Sequence, residues 1–164
     1  MKMPMEDPYK ILEELEEDRI PIEDQYTMLH SLEEYKEEMR KSFNKIFSFN
    51  YPPETKLVVL EADSYDFGLG FAAYPYKDPY TPVPSGPLIA SGSVGFDDHL
   101  DNDALEEAGT LGLYITFGEN LFIEWLSKVI PEFIGYKDFP YRIGLFFRGD
   151  TYCYDAVTGE RIEL

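Results

Sequence analysis

The sequence predicts an α+β fold, in which N-terminal helices and one later helix pack on a mainly antiparallel sheet of about five or six strands. Three observations predict it. Apolar residues recur at helical spacing through residues 1–50 and again over residues 119–133. From Lys56 onward, short runs of β-branched, aliphatic and aromatic residues alternate with turn residues. The links between these runs have hairpin length, shorter than the crossovers that parallel strands need. A chain of 164 residues suits one domain, with a helical part over 1–50 and a strand-rich part over 56–164.

Each element has a local reason. Asp7-Pro8 is a helix start, with a capping carboxylate followed by proline at the first helical position, and Ile11, Leu12 and Leu15 mark the buried face. Pro21 interrupts, and one longer helix is expected over residues 24–48. Its Met28, Leu29, Leu32, Met39, Phe43, Ile46 and Phe47 fall within an arc of about 100°, with Glu33, Glu34, Glu37 and Glu38 on or beside the opposite face. Tyr51-Pro52-Pro53 ends the helical region. Residues 57–62 and 67–74 read as strands joined by turn chemistry at 63–66. The proline-rich stretch 74–87 reads as a loop, and residues 88–96 and 111–117 as strands. Over 119–133, Phe122, Trp125, Leu126, Val129, Ile130 and Phe133 form one helical stripe. Residues 142–147, 151–157 and 161–164 read as a closing meander.

Composition narrows the function. The chain is 44% hydrophobic and 16% aromatic, which excludes intrinsic disorder. Its longest apolar runs fall far short of the roughly 18 residues of a spanning helix, so no membrane association is expected. One cysteine excludes a disulfide framework and a cysteine-rich metal centre. The net charge of −18 argues against direct contact with nucleic acid or an anionic surface. The N-terminal segment shows no secretory pattern, so a cytoplasmic location is expected.

The motifs that suggest chemistry lack their structural context. Gly68-Leu69-Gly70-Phe71-Ala72-Ala73 has the spacing of a dinucleotide fingerprint, but Tyr74-Pro75-Tyr76 follows where a helix should supply phosphate-binding amides. A glycine-bearing strand is the simpler reading. His30, Glu33 and Glu34 share a helical face, yet position 34 would have to be histidine for a helical zinc motif, so a solvated acidic face is expected. The oxygen-rich run from Asp97 to Asp103 fails the EF-hand pattern at its required positions. Cys153 reads as a small buried hydrophobe, because an acidic chain offers little to stabilise a thiolate. Arg148-Gly149-Asp150 reads as a turn. Pro79-Tyr80-Thr81-Pro82 and Pro84-Ser85-Gly86-Pro87 have polyproline spacing and make the loop a candidate recognition element.

Charge placement is the most informative feature. No Lys or Arg occurs between Lys77 and Lys128, a stretch that carries nine acids. The expectation is a small acidic binding protein that docks a basic protein partner, of the immunity or inhibitor type that neutralises a toxin or nuclease. The expected contact residues are Asp97, Asp98, Asp101, Asp103, Glu106 and Glu107, with Tyr76 and Tyr80 from the neighbouring loop. No catalytic residue, metal ligand or cofactor is assigned. The alternative is a carboxylate-based hydrolase, for which no spacing singles out a pair of acids.

Overall fold

The computed structural model describes residues 9–65, 67–84, 86–96 and 99–163. Three helices open the chain: α1 (Tyr9–Leu15), α2 (Ile22–Glu34) and α3 (Lys36–Ser48). The strands β1 (Leu57–Tyr65), β2 (Gly68–Asp78), β3 (Thr81–Pro82) and β4 (Ala90–Gly95) follow. Next come α4 (Asn102–Glu107), α5 (Leu111–Val129) with a short 3-10 turn, and the strands β5 (Arg142–Phe147) and β6 (Tyr154–Asp155). The six-stranded sheet runs β3-β2-β1-β5-β6, and β4 also pairs with β2. It is mostly antiparallel, but β5 lies parallel to β1. The α+β class is therefore observed. Among the described residues, no helix is long and apolar enough to cross a membrane.

Strand alternation sends side chains to two different fates. Val58, Leu60 and Ala62 of β1, Leu69, Phe71 and Ala73 of β2, and Ile143 and Leu145 of β5 face the helices and join the main core. Met28, Leu32, Phe43, Leu121, Trp125 and Leu126 meet them from above, all fully buried. The opposite face holds a smaller cluster of Leu57, Val59, Tyr76, Cys153 and Ile162, closed by the C-terminal segment. Gly144 makes that closure possible. A Cβ there would lie 2.7 Å from the Cys153 sulfur, so the segment packs directly on bare backbone.

Five expectations are corrected. Residues 24–48 form two helices, because Tyr35 adopts φ −88°, ψ 0° and its amide bonds Leu32 in a tightened turn before Met39 resumes α-helical bonding to Tyr35. The apolar stripe survives this break: Met28, Leu29 and Leu32 before it and Met39, Phe43 and Ile46 after it are all buried. Residues 111–117 belong to α5, a single helix of 19 residues, and not to a strand. The β-favouring composition of Leu113, Tyr114, Ile115 and Phe117 is overridden by burial of Tyr114, Phe117, Leu121, Phe122, Trp125 and Val129 along one face. Gly118, inside this helix, is a close-approach point: a Cβ there would lie 2.8 Å from Phe96 and 3.2 Å from Met28. Ser64 and Asp63 lie within β1, so the hairpin turns between Tyr65 and Gly68 instead of over 63–66. Finally, residues 74–78 continue β2, and the segment 151–157 keeps only the two residues of β6.

The last correction has a local cause. The Asp155 carboxylate accepts the amides of Val157 (2.8 Å) and Thr158 (2.9 Å) and pairs with Arg142 Nε at 2.6 Å, so the chain turns immediately after the strand. Burial alone would raise the Asp155 pKa, but these three donors outweigh it and hold it below the usual carboxylate value. A depressed folded-state pKa contributes stability that is complete above the ordinary aspartate value and is lost as pH falls through the lower folded value. Asp155→Ala should cost about 2 kcal/mol at neutral pH. In denaturant titrations the gap between wild type and variant should shrink as pH is lowered below about 4. A gap independent of pH would show that the carboxylate charge is not what holds the turn.

Trp125 is fully buried, and its indole Nε1 donates to Glu33 Oε1 at 3.2 Å. Glu33 is thus a half-buried acceptor, not part of a solvated acidic face. Trp125→Ala should lower stability by about 3–5 kcal/mol, read from the denaturant midpoint. A loss under about 1 kcal/mol would mean that the helices slide to refill the site.

Candidate functional site

The smaller apolar cluster covers only part of the outer sheet face. Beyond it, β1 presents Glu61 and Asp63, β2 presents Gly70 and Ala72, and β4 presents Ser91 and Ser93, in register with one another. These residues form the floor of a trough of about 720 Å³, whose far wall is Tyr35, Glu38 and Ser42 of the α2–α3 corner. The floor is low because its side chains are small. Among the described residues, three acids and no Lys or Arg line it. Each floor acid is held in place: Glu61 Oε2 accepts the Tyr76 hydroxyl at 2.8 Å, and Asp63 Oδ2 meets Arg148 Nη1 at 3.3 Å. Arg148 closes an adjoining recess with Tyr74 and Phe146.

A second acidic feature follows directly from the end of β4. Asp101 caps α4 through a 3.2 Å bond from the Ala104 amide, and the short helix displays Asp103, Glu106 and Glu107 to solvent. None of these four acids forms an ion pair with a described residue, so no described cation offsets their mutual repulsion. Asp97 and Asp98, also expected here, lie outside the described residues.

The two acidic features are joined through Glu34. Its carboxylate meets His30 Nε2 at 3.1 Å and His99 Nε2 at 3.0 Å, bringing together both histidines of the chain. The hydrogen bond from His99 is the largest effect on Glu34 and holds its pKa below the usual value. The pairing of His30 and Glu34 is visible as an i, i+4 spacing, but His99 comes from another element and leaves no trace in sequence. Among the described residues, no three His, Cys, Asp or Glu side chains are grouped to hold a metal ion.

The aromatic members of the expected contact set separate. Tyr76 is a strand residue buried in the smaller cluster, and burial together with the Glu61 bond pushes its hydroxyl pKa upward. It cannot serve as an exposed contact. Tyr80 is exposed on the turn between β2 and β3, where its amide bonds Asp78 Oδ1. It follows the Asp78 end of β2, whereas α4 follows the strand end that pairs with Gly68. The 11-residue strand between them spans about 35 Å, so Tyr80 and α4 leave the sheet at opposite ends. The residues missed by sequence reasoning are Glu38, Glu61 and Asp63. The alternation of Glu61 and Asp63 after Leu57 and Val59 was the available signal, since it marks where an apolar strand face becomes polar.

Comparison of the chain with protein-family models, curated proteins and solved structures gave no match.

Cys153 has no part in either acidic feature. It is fully buried between Gly144 and Tyr76, and burial pushes its thiol pKa up to about 11. A thiol reagent at neutral pH should therefore label it only as fast as the protein opens, with complete reaction in denaturant. Labelling within mixing time under native conditions would place the thiol at the surface.

Proposed function

We propose that the protein is a binding protein that recognises a basic protein partner through the acidic surface running from α4 to the trough. The observation that supports this best is the run Asp101, Asp103, Glu106 and Glu107: four exposed acids within seven residues and without ion-pair partners among the described residues. Elsewhere the exposed acids are often neutralised, as in Glu37 with Arg40 and Glu38 with Lys41. A cationic surface would relieve the repulsion on α4 as well as gain attraction, and it would be steered toward this side during diffusion. Inhibition of a toxin or nuclease fits this reading, because a protein that handles nucleic acid carries the cationic surface that such an acidic face complements.

The test needs the natural partner. A photoreactive residue placed at position 103 in the intact chain should capture it from the source cell's extract, and mass spectrometry should identify a protein of net positive charge. Association of the purified pair should slow by about tenfold or more when Asp101, Asp103, Glu106 and Glu107 are replaced by their amides, and high salt should erase the difference. Removing Glu13, Asp18, Asp138 and Asp150 takes equal charge from other exposed positions and should have a smaller effect. Equal slowing by both sets would mean that net charge alone acts. Capture of an acidic protein would overturn the reading.

A further inference from the structure

We infer that β4 is a docking edge, and that an extended basic segment of the partner adds to it as a further strand. The inference rests on the basic-partner reading above and names how the partner is held. In an antiparallel ladder, successive residues point their amide and carbonyl alternately toward and away from the neighbouring strand. The Phe96 amide bonds Phe67 O at 2.9 Å, which fixes the phase: Val94 and Gly92 also turn toward β2. Ser91, Ser93 and Gly95 must then turn outward. The Ser42 hydroxyl confirms this phase, since it reaches the outward Ser91 carbonyl at 2.9 Å. Beyond that one bond, the Ser93 amide and carbonyl have no partner among the described residues.

Sheet edges left in this state are usually blunted by lysine, proline or a bulge. β4 reads Ala-Ser-Gly-Ser-Val-Gly, without lysine or proline, and it keeps one register with β2 from Ala90 to Gly95. Its solvent-facing side chains are two serines, and because the Ser42 hydroxyl of α3 caps the edge at Ser91, Ser93 is the point left open to a second backbone. The trough lies along the same residues, with Glu38 on the opposite wall and Glu61 and Asp63 on its floor; Glu38 also meets Lys41 and Asp63 meets Arg148, both across exposed, solvent-screened pairs that a closer cation can replace. This lining fixes the sign of the occupant. A second copy of a chain bearing −18 would bring like charge to an acidic trough, whereas lysine or arginine side chains on an added strand would meet Glu38 and the floor acids. Main-chain bonds to Ser93 would supply the pairing, and the acids the choice of partner.

The probe is a short capped peptide alternating lysine and threonine, with a twin methylated on alternate backbone nitrogens so that it keeps its charge but cannot pair along one edge. Calorimetry with the full chain should show the plain peptide binding about tenfold or more tighter than its twin. Glu38→Gln should weaken the plain peptide, and sedimentation should show that the free protein does not pair with itself. Equal binding of the two peptides, binding of neither, or a dimer that the peptide has to dissociate would each overturn strand addition. None of these outcomes depends on the α4 acids. Failure of the basic-partner reading shows separately, as an association rate that is indifferent to their removal.

Discussion

The close seating of α5 on the sheet is the contact on which the rest of the architecture depends. It works because Gly118 has no side chain, so Phe96 from the end of β4 and Met28 from α2 fill the space where one would stand. That single point ties the first helical pair, the sheet and the long helix together. It also places Trp125 and Leu126 deep in the core, where each side chain contributes on the order of 2 kcal/mol or more through apolar burial. With one sheet face covered this way, the remaining apolar strand residues must be hidden from the other side. The C-terminal segment does this for Leu57, Val59 and Tyr76 by laying Cys153 and Ile162 across Gly144. Among the described residues the segment covers only part of the face, and beyond that part the strand residues are Glu61, Asp63, Gly70 and Ala72. The trough is thus the uncovered remainder of a half-closed sheet face.

Helical periodicity was legible wherever one stripe faced one neighbour. Met28, Leu32, Phe43, Ile46, Trp125 and Leu126 were identifiable as core from spacing alone, and β5 could be bounded by its run of Ile143, Leu145 and Phe147. The misreadings share a physical origin, because they occur where a long-range contact overrides local preference. Residues 111–117 have strand-like composition and a flanking glycine, and only Phe96 and Met28 explain why that glycine belongs inside a helix. The tight turn at Tyr35 lies between two halves of an unbroken apolar stripe, so periodicity carries no sign of it. The acidic run on α4 was readable because it is local. The trough was not, since it requires the pairing of β1, β2 and β4 and the approach of α3.

Charge and backbone play separate parts in the proposed recognition. The acids on α4 stand free of cations among the described residues, and their attraction reaches outward over about a Debye length, near 10 Å at 0.1 M salt. They act on the rate and direction of approach. The edge of β4 acts only at contact, where hydrogen bonds and the small serine side chains reward an extended backbone. Glu34 sits between the two regions, holding His99 at the root of α4 and standing next to Tyr35 at the trough wall. The acidic ridge and the edge are therefore parts of one side of the molecule, tied through the α2–α3 corner.

If β4 has one bonded edge and one open edge, amide hydrogen exchange of the unbound protein will report the difference residue by residue. The exchange should alternate along a single strand: slow at Gly92 and Val94, which bond β2, and faster by orders of magnitude at Ser91 and Ser93, which face outward. Protection at Ser93 as strong as that at Val94 would mean that the edge is already occupied within the chain, and the account would be wrong.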